Sequence, residues 1–165
     1  MKPLPFPLPF NIGTDIVHLP RITRLLQRPG YLTRFTRRIL SEHEQHDFHV
    51  RFKDTIAPNF HSSSCPPSNV GSQPPITPEM TRWLAGRFAA KEAARKAAPD
   101  GAASIGWKDV VVRTQEARGT EIQGTSRRPE VVYLGPDAHE SLARVGRLSI
   151  SHDGDYVVAT VLAAG

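Results

Sequence analysis

The chain has 165 residues and a formal charge of +5, from 21 Lys and Arg against 16 Asp and Glu, the length of one domain able to bury a core without covalent staples. Its single cysteine, Cys65, excludes an intrachain disulfide and any cysteine-pair metal site and points to a reducing compartment; no apolar run is long enough to span a bilayer. The basic balance predicts attraction to a polyanion, whether nucleic acid, a phosphorylated cofactor or an acidic protein, without choosing among them.

In chain order, residues 1–9 alternate prolines with apolar residues and read as an extended arm; MKPLPFPLPF resembles neither a secretory signal nor an arginine-rich transit peptide. Phe10 to Val17, FNIGTDIV, reads as a short buried strand with Gly13, Asp15 and Val17 on one side. An aspartate there is costly to bury unpaired, so Asp15 should meet a cation, a metal or backbone donors; the plainer alternative is that it caps the following turn. From Pro20 the period changes to that of a helix with Ile22, Leu25 and Leu26 as its stripe and Arg21, Arg24 and Arg28 as a basic ridge. Such a ridge is a solvated face in most proteins. Leu32 to Leu40 predicts a second helix, and Ser41 with Glu44 three residues on predicts a capping box opening a third. His43 and His46 stand i,i+3 there, with no third ligand nearby to make a metal site.

Residues 57–76 turn to Pro, Ser, Asn and Gly, a surface insertion with little to bury. Thr77 to Ala98 then carries the strongest helix signal: Thr77 as N-cap, Pro78 in the first turn, Glu79 at the positive end of the dipole, and Pro99-Asp100-Gly101 as the stop. Phe88, Glu92 and Lys96 form one row, Arg87, Lys91 and Arg95 the next, and alanines 89, 90, 93, 94 and 97 cover much of the remainder. Two readings stay open. Glu92 and Lys96 form an i,i+4 ion pair on a solvated face, or the cations form an anion-binding wall around one metal ligand.

Trp107 to Arg113 and Glu130 to Leu134 read as strands joined by a loose polar tip, and Pro136 to Val145 as a short helix. Leu148 to Ile150 and Tyr156 to Leu162 are strands about SHDGDY, whose Asp153-Gly154 is a hairpin signal. His152, at the strand end, is either a turn hydrogen-bonder or an anion ligand.

Three separated pieces, GTDIV, WLAGRFAAKEAARKA and LSISHDGDYVVATV, together with RFTRRILSEHE, resemble the holo-acyl carrier protein synthase family, the small 4'-phosphopantetheinyl transferases. The resemblance spans the chain except the arm and the insertion. It implies a single α+β domain over residues 1–165, helices packed on a small, mostly antiparallel sheet, and transfer of 4'-phosphopantetheine from coenzyme A to a serine of an apo acyl carrier protein with release of adenosine 3',5'-bisphosphate. By the same resemblance Asp15 and Glu92 are Mg2+ ligands, Glu92 and Lys96 carry the chemistry, and Arg87, Lys91 and His152 bind the cofactor's phosphates. Arg21, Arg24 and Arg28 would dock the acidic carrier, a homotrimer is implied, and neither nucleic acid nor membrane is. After the central helix, bacterial members commonly continue with a glycine-threonine-glycine turn, whereas this chain has APDGAASIGW. That departure and the insertion suggest a eukaryotic, fungal-type member, cytoplasmic or mitochondrial, serving a type II carrier. The rival from another class is a basic nucleic-acid-binding domain, served poorly by the few aromatics among the arginines.

Overall fold

A computed structural model of the chain describes residues 8–56, 74–114, 128–135 and 143–165. The arm apart from residues 8 and 9, most of the insertion, Cys65 and the tip of the loose connection lie outside them. The elements run β1 (Phe10–His18), α1 (Leu19–Leu26), α2 (Tyr31–Ile39), α3 (Glu42–Arg51), α4 (Lys53–Ile56), α5 (Pro78–Lys96), β2 (Val110–Thr114), β3 (Pro129–Tyr133), β4 (Arg144–Asp153) and β5 (Tyr156–Ala164). Five strands form one antiparallel sheet in the order β1-β5-β4-β3-β2. The α+β architecture of helices on a small antiparallel sheet is as expected.

Local chemistry sets the long elements. Thr77 accepts the Met80 N–H as N-cap of α5, and Ser41 and Glu44 close the reciprocal box that opens α3. Of the three positive-φ glycines among the described residues, two lie where helices are separated or stopped, Gly30 at 67° and Gly101 at 81°. The third, Gly154 at 50°, forms with Asp155 the two-residue link between β4 and β5.

Helix α5 lies on the sheet through its small residues. Ala85, Ala89, Ala90, Ala93, Ala94 and Ala97 are buried against Val17, Val157, Ala159, Val161 and Ala163. β1 approaches most closely at Gly13, where an added Cβ would overlap the carbonyl oxygen of Ala93, so the alanine surface is used by the sheet itself. Tyr133 of β3 reaches across to donate its hydroxyl to the Ala94 carbonyl at 2.9 Å, and burial raises its pKa to about 12. On the opposite side of the sheet, Phe10, Ile12 and Ile16 of β1 and Leu162 of β5 face outward; Ile12 is 70% exposed and Ile16 60%.

Three expectations need correction. Trp107 to Asp109 are not strand: β2 begins at Val110, because the Trp107 ring stacks on Phe88 at 5.0 Å between centroids and its carbonyl takes a hydrogen bond from Lys91. The helix expected over Pro136 to Val145 falls mostly outside the described residues, and its last two, Arg144 and Val145, are strand, paired with Tyr133 and Val132. The arginine ridge is also broken. α1 ends at Leu26, which leaves Arg28 in the turn beyond it, and Arg21 and Arg24 line different hollows. No helix among the described residues is long and apolar enough to cross a membrane.

Candidate active site

β1 alternates, so Gly13, Asp15 and Val17 turn toward α5 while Ile12, Thr14 and Ile16 turn away. Asp15 is thereby set on the Lys96 end of α5. Its Oδ1 accepts from Lys96 Nζ at 2.8 Å, and the same ammonium donates to the Thr14 carbonyl at 2.9 Å. Lys96 lies one turn beyond Glu92 on the same row, so the aspartate of the first strand is carried to the row that bears the helix carboxylate. Asp15 and Glu92 are largely enclosed, with side-chain exposures of 17% and 21%.

Glu92 does not pair with Lys96, the i,i+4 partner that spacing suggested. Its Oε1 accepts from Arg95 Nη1 at 2.7 Å, because Lys96 is taken by β1. Arg95 is itself held from three sides. Its Nε donates to the Ile105 carbonyl at 2.9 Å, its Nη2 to the Ala102 carbonyl at 2.7 Å, and its plane covers the Trp107 ring at 4.9 Å.

In the neighbouring row, Lys91 and Arg87 turn inward. Lys91, expected among the phosphate-binding cations, is fully buried, donating to Glu44 Oε2 at 2.6 Å and to the Trp107 carbonyl at 2.9 Å. Burial pulls its pKa below the ordinary lysine value, and Glu44 opposes that pull. Glu44 accepts two further hydrogen bonds, from the Ser41 N–H at 2.9 Å and from the Val112 N–H of edge strand β2 at 3.1 Å. Arg87 stands beside it, Nε 3.9 Å from Oε1, with its guanidinium 3.9 Å above the Trp83 ring. That Nε is buried without a hydrogen-bond partner; burial lowers the group's pKa, against the raising effect of Glu44. Arg87 also lines a hollow of about 660 Å³ beside His43, Lys108 and Arg113.

His152 is exposed and lies on the helix-facing row of β4 with Leu148 and Ile150, its Cε1 4.0 Å from where a Cβ at Gly86 would stand. Arg21 lines a groove of about 560 Å³ whose apolar wall includes Leu25, Tyr31, Phe35, Phe88 and Trp107 and whose other cations are Arg34 and Arg38. His43 meets Asp47 at 3.4 Å, and no group of three or more candidate metal ligands occurs among the described residues.

The structure therefore joins Asp15, Lys96, Glu92 and Arg95 along one side of α5 and turns Lys91 and Arg87 toward Glu44. The capping box was the only sequence sign of Glu44, and it does not foretell the salt bridge. The α2 arginines were legible as exposed cations, but not as the rim of a groove.

A sequence model described as the 4'-phosphopantetheinyl transferase superfamily matches residues 11–161. The chain is 60% identical to a protein of Aspergillus fumigatus named 4'-phosphopantetheinyl transferase B, mitochondrial, over all of both chains. It is 35% identical to a holo-[acyl-carrier-protein] synthase of Gloeobacter violaceus, over 94% of this chain and 92% of the relative. Among solved structures it is similar to the holo-(acyl-carrier-protein) synthase of Bacillus anthracis in complex with CoA (3',5'-ADP), at a TM-score of 0.58 and 25% identity, over 94% of this chain and 96% of the other.

Proposed function

Because the chain belongs to the 4'-phosphopantetheinyl transferase superfamily, we propose that Asp15, Glu92 and Lys96 carry the transfer of 4'-phosphopantetheine from coenzyme A to a serine of an apo acyl carrier protein. The observation that carries this reading is the Lys96 bridge, which brings the Asp15 carboxylate onto the row of α5 that bears Glu92. The carrier serine Oγ attacks the phosphorus nearer pantetheine, the bond to the bridging oxygen breaks, and adenosine 3',5'-bisphosphate leaves. Phosphoryl transfer of this kind asks a protein for positioning and charge neutralisation above all.

Two carboxylates suit Mg2+, which takes hard oxygen ligands and completes its shell with water and substrate phosphate. Among the described residues Asp15 accepts a hydrogen bond at Oδ1 and Glu92 at Oε1, which leaves the second oxygen of each for a cation. Bound there, Mg2+ would neutralise charge on the pyrophosphate. Glu92 takes the serine proton, and Lys96, nearly half-exposed, moves between Asp15 and the leaving phosphate. Arg87 and His152 serve the cofactor's phosphates. Lys91 supports the helix rather than reaching for ligand, since both of its hydrogen bonds point inward.

Carrier docking falls to Arg21 and the adjoining groove, where Arg34 and Arg38 add charge for an acidic helix and the rings add apolar surface; Arg24, on a separate hollow, and Arg28, in the turn beyond α1, add to the basic surface. Such exposed charge speeds encounter and weakens with salt. The uncovered apolar face of β1 and β5 supports the homotrimer, since neighbouring apolar side chains left on the outer face of a sheet mark an association surface. Sedimentation of wild type against Ile12→Asp checks this: a wild type that is monomeric at micromolar concentration rejects it. Nucleic-acid binding is not favoured, because the chain belongs to an enzyme superfamily and Lys91, Arg95, Lys96 and Arg113 are each already paired with a carboxylate. We place the enzyme in the mitochondrion, following the name of the Aspergillus relative; a fluorescent fusion that fails to co-localise with that organelle overturns the placement.

Incubation with coenzyme A, Mg2+ and apo carrier protein should add the prosthetic mass to the carrier. Chelation should stop the addition and Mg2+ should restore it. No addition across several carriers rejects the assignment.

A further inference from the structure

Arg95 has no role in the transfer described above, yet it is the most constrained side chain beside Glu92. Three of its nitrogens are committed, one to Glu92 Oε1 and one each to the carbonyls of Ala102 and Ile105, and its plane is covered by Trp107. Trp107 is fixed in turn by Phe88, one helical turn before Glu92, and by the hydrogen bond from Lys91 to its carbonyl. The segment from Ala102 to Trp107 that follows the central helix is thus fastened to the carboxylate through one guanidinium.

A cation at 2.7 Å weakens the field by which a carboxylate draws a divalent ion. Pairing of this kind serves a metal ligand only if it brings something stronger, and a guanidinium locked at three points brings a fixed carboxylate orientation. Oε1 is held, so Oε2 is aimed. We propose that Arg95 is a positioning residue: it fixes the Glu92 carboxylate as a divalent-cation ligand and makes that ligand depend on the 102–107 segment. The inference rests on the reading of Glu92 as a metal ligand.

The test uses the full chain with coenzyme A present and follows Mn2+ binding by the electron paramagnetic resonance of the free ion, so that the readout is not turnover. Arg95→Met, which keeps the stem and removes every donor, should weaken Mn2+ binding about ten-fold or more, the range for a partner that orients a metal ligand. Arg95→Lys keeps a charge but cannot reach both carbonyls, and should recover only part of the loss. Trp107→Leu, which leaves Arg95 itself in place, should show a smaller loss of the same sign and keeps the test open if Arg95→Met does not fold. The KM for carrier protein should stay within about two-fold in the two Arg95 variants, as it would not if α5 were generally disordered; Trp107 lines the carrier groove, so Trp107→Leu is judged by Mn2+ binding alone. Unchanged or tighter Mn2+ binding in folded Arg95→Met overturns the proposal, tighter binding meaning that the guanidinium competes with the ion. Glu92→Gln is run alongside. If it binds Mn2+ like the wild type, the metal-ligand reading itself has failed and the proposal falls with it, a result distinct from an Arg95 effect absent while Glu92→Gln loses the ion.

Discussion

Lys91 and Glu92 are neighbours on α5, and the one-residue step between them separates two charge systems. On the Lys91 side, Glu44 is sealed from solvent with one ammonium at 2.6 Å, two backbone N–H donors and the Arg87 guanidinium beside it. On the Glu92 side, two carboxylates each accept through one oxygen and remain about a fifth exposed. A rotation of about 100° around the helix axis thus divides charges that join α3, α5 and β2 from charges that remain open to a ligand. The difference lies in how completely each carboxylate is satisfied. A buried pair with both carboxylate oxygens engaged is structural, whereas a half-satisfied carboxylate near solvent has capacity left for chemistry.

The contrast breaks most readily at Glu92 and Asp15. Glu92→Gln should cost about 10²- to 10⁴-fold in transfer rate, the range for a positioned acid-base group, and Asp15→Asn, which weakens a cation ligand, should also lower the rate, each with little movement of the urea midpoint. Mass gain on the carrier over time reads the rate and fluorescence-monitored unfolding the midpoint. A loss of stability to match the loss of rate would erase the distinction between the two systems.

Glu44→Ala should do the reverse. It leaves Lys91 buried and uncompensated, which costs about 3–5 kcal/mol, seen as a lower urea midpoint with unchanged slope. A paired Glu44→Met, Lys91→Met variant should recover much of this, since the desolvation of both charges is removed together. If the double variant is no better than Glu44→Ala alone, the ion pair is not what Glu44 supplies, and its two backbone hydrogen bonds are.

The smallest effect sharpens the structural side further. Tyr133→Phe removes the hydrogen bond to Ala94 and should cost about 1 kcal/mol. The folded phenol titrates at about 12 against an ordinary value of 10, so its contribution is complete below pH 10 and is lost as pH rises through 12. The stability difference between wild type and Tyr133→Phe should therefore shrink across that window. A difference constant with pH would show that the hydroxyl is not buried as described.

Much of the fold was legible residue by residue. Thr77-Pro78-Glu79 opened α5, Ser41 with Glu44 opened α3, and the alternation around Gly13 and Asp15 separated the two sides of β1. Where the reading failed, a distant partner had displaced a local preference. Trp107 has high strand propensity, but Phe88 and Arg95 claim its ring. Arg144 and Val145 followed a helical pattern, but Val132 and Tyr133 offered them a ladder. Lys96 had Glu92 one turn away and bonds instead to Asp15 of the first strand, which left Glu92 to Arg95.

Caps, hydrophobic periods and turn residues act over a few bonds, and for that reason the chain alone determined where its helices and strands form and which residue types could manage phosphate chemistry. Which cation answers which carboxylate was decided only when α3, β1 and the 102–107 segment closed on α5. An ion pair between residues some 80 positions apart depends on the relative placement of whole elements, and that placement is set by the packing of alanines against Gly13 and the sheet, which no local pattern encodes.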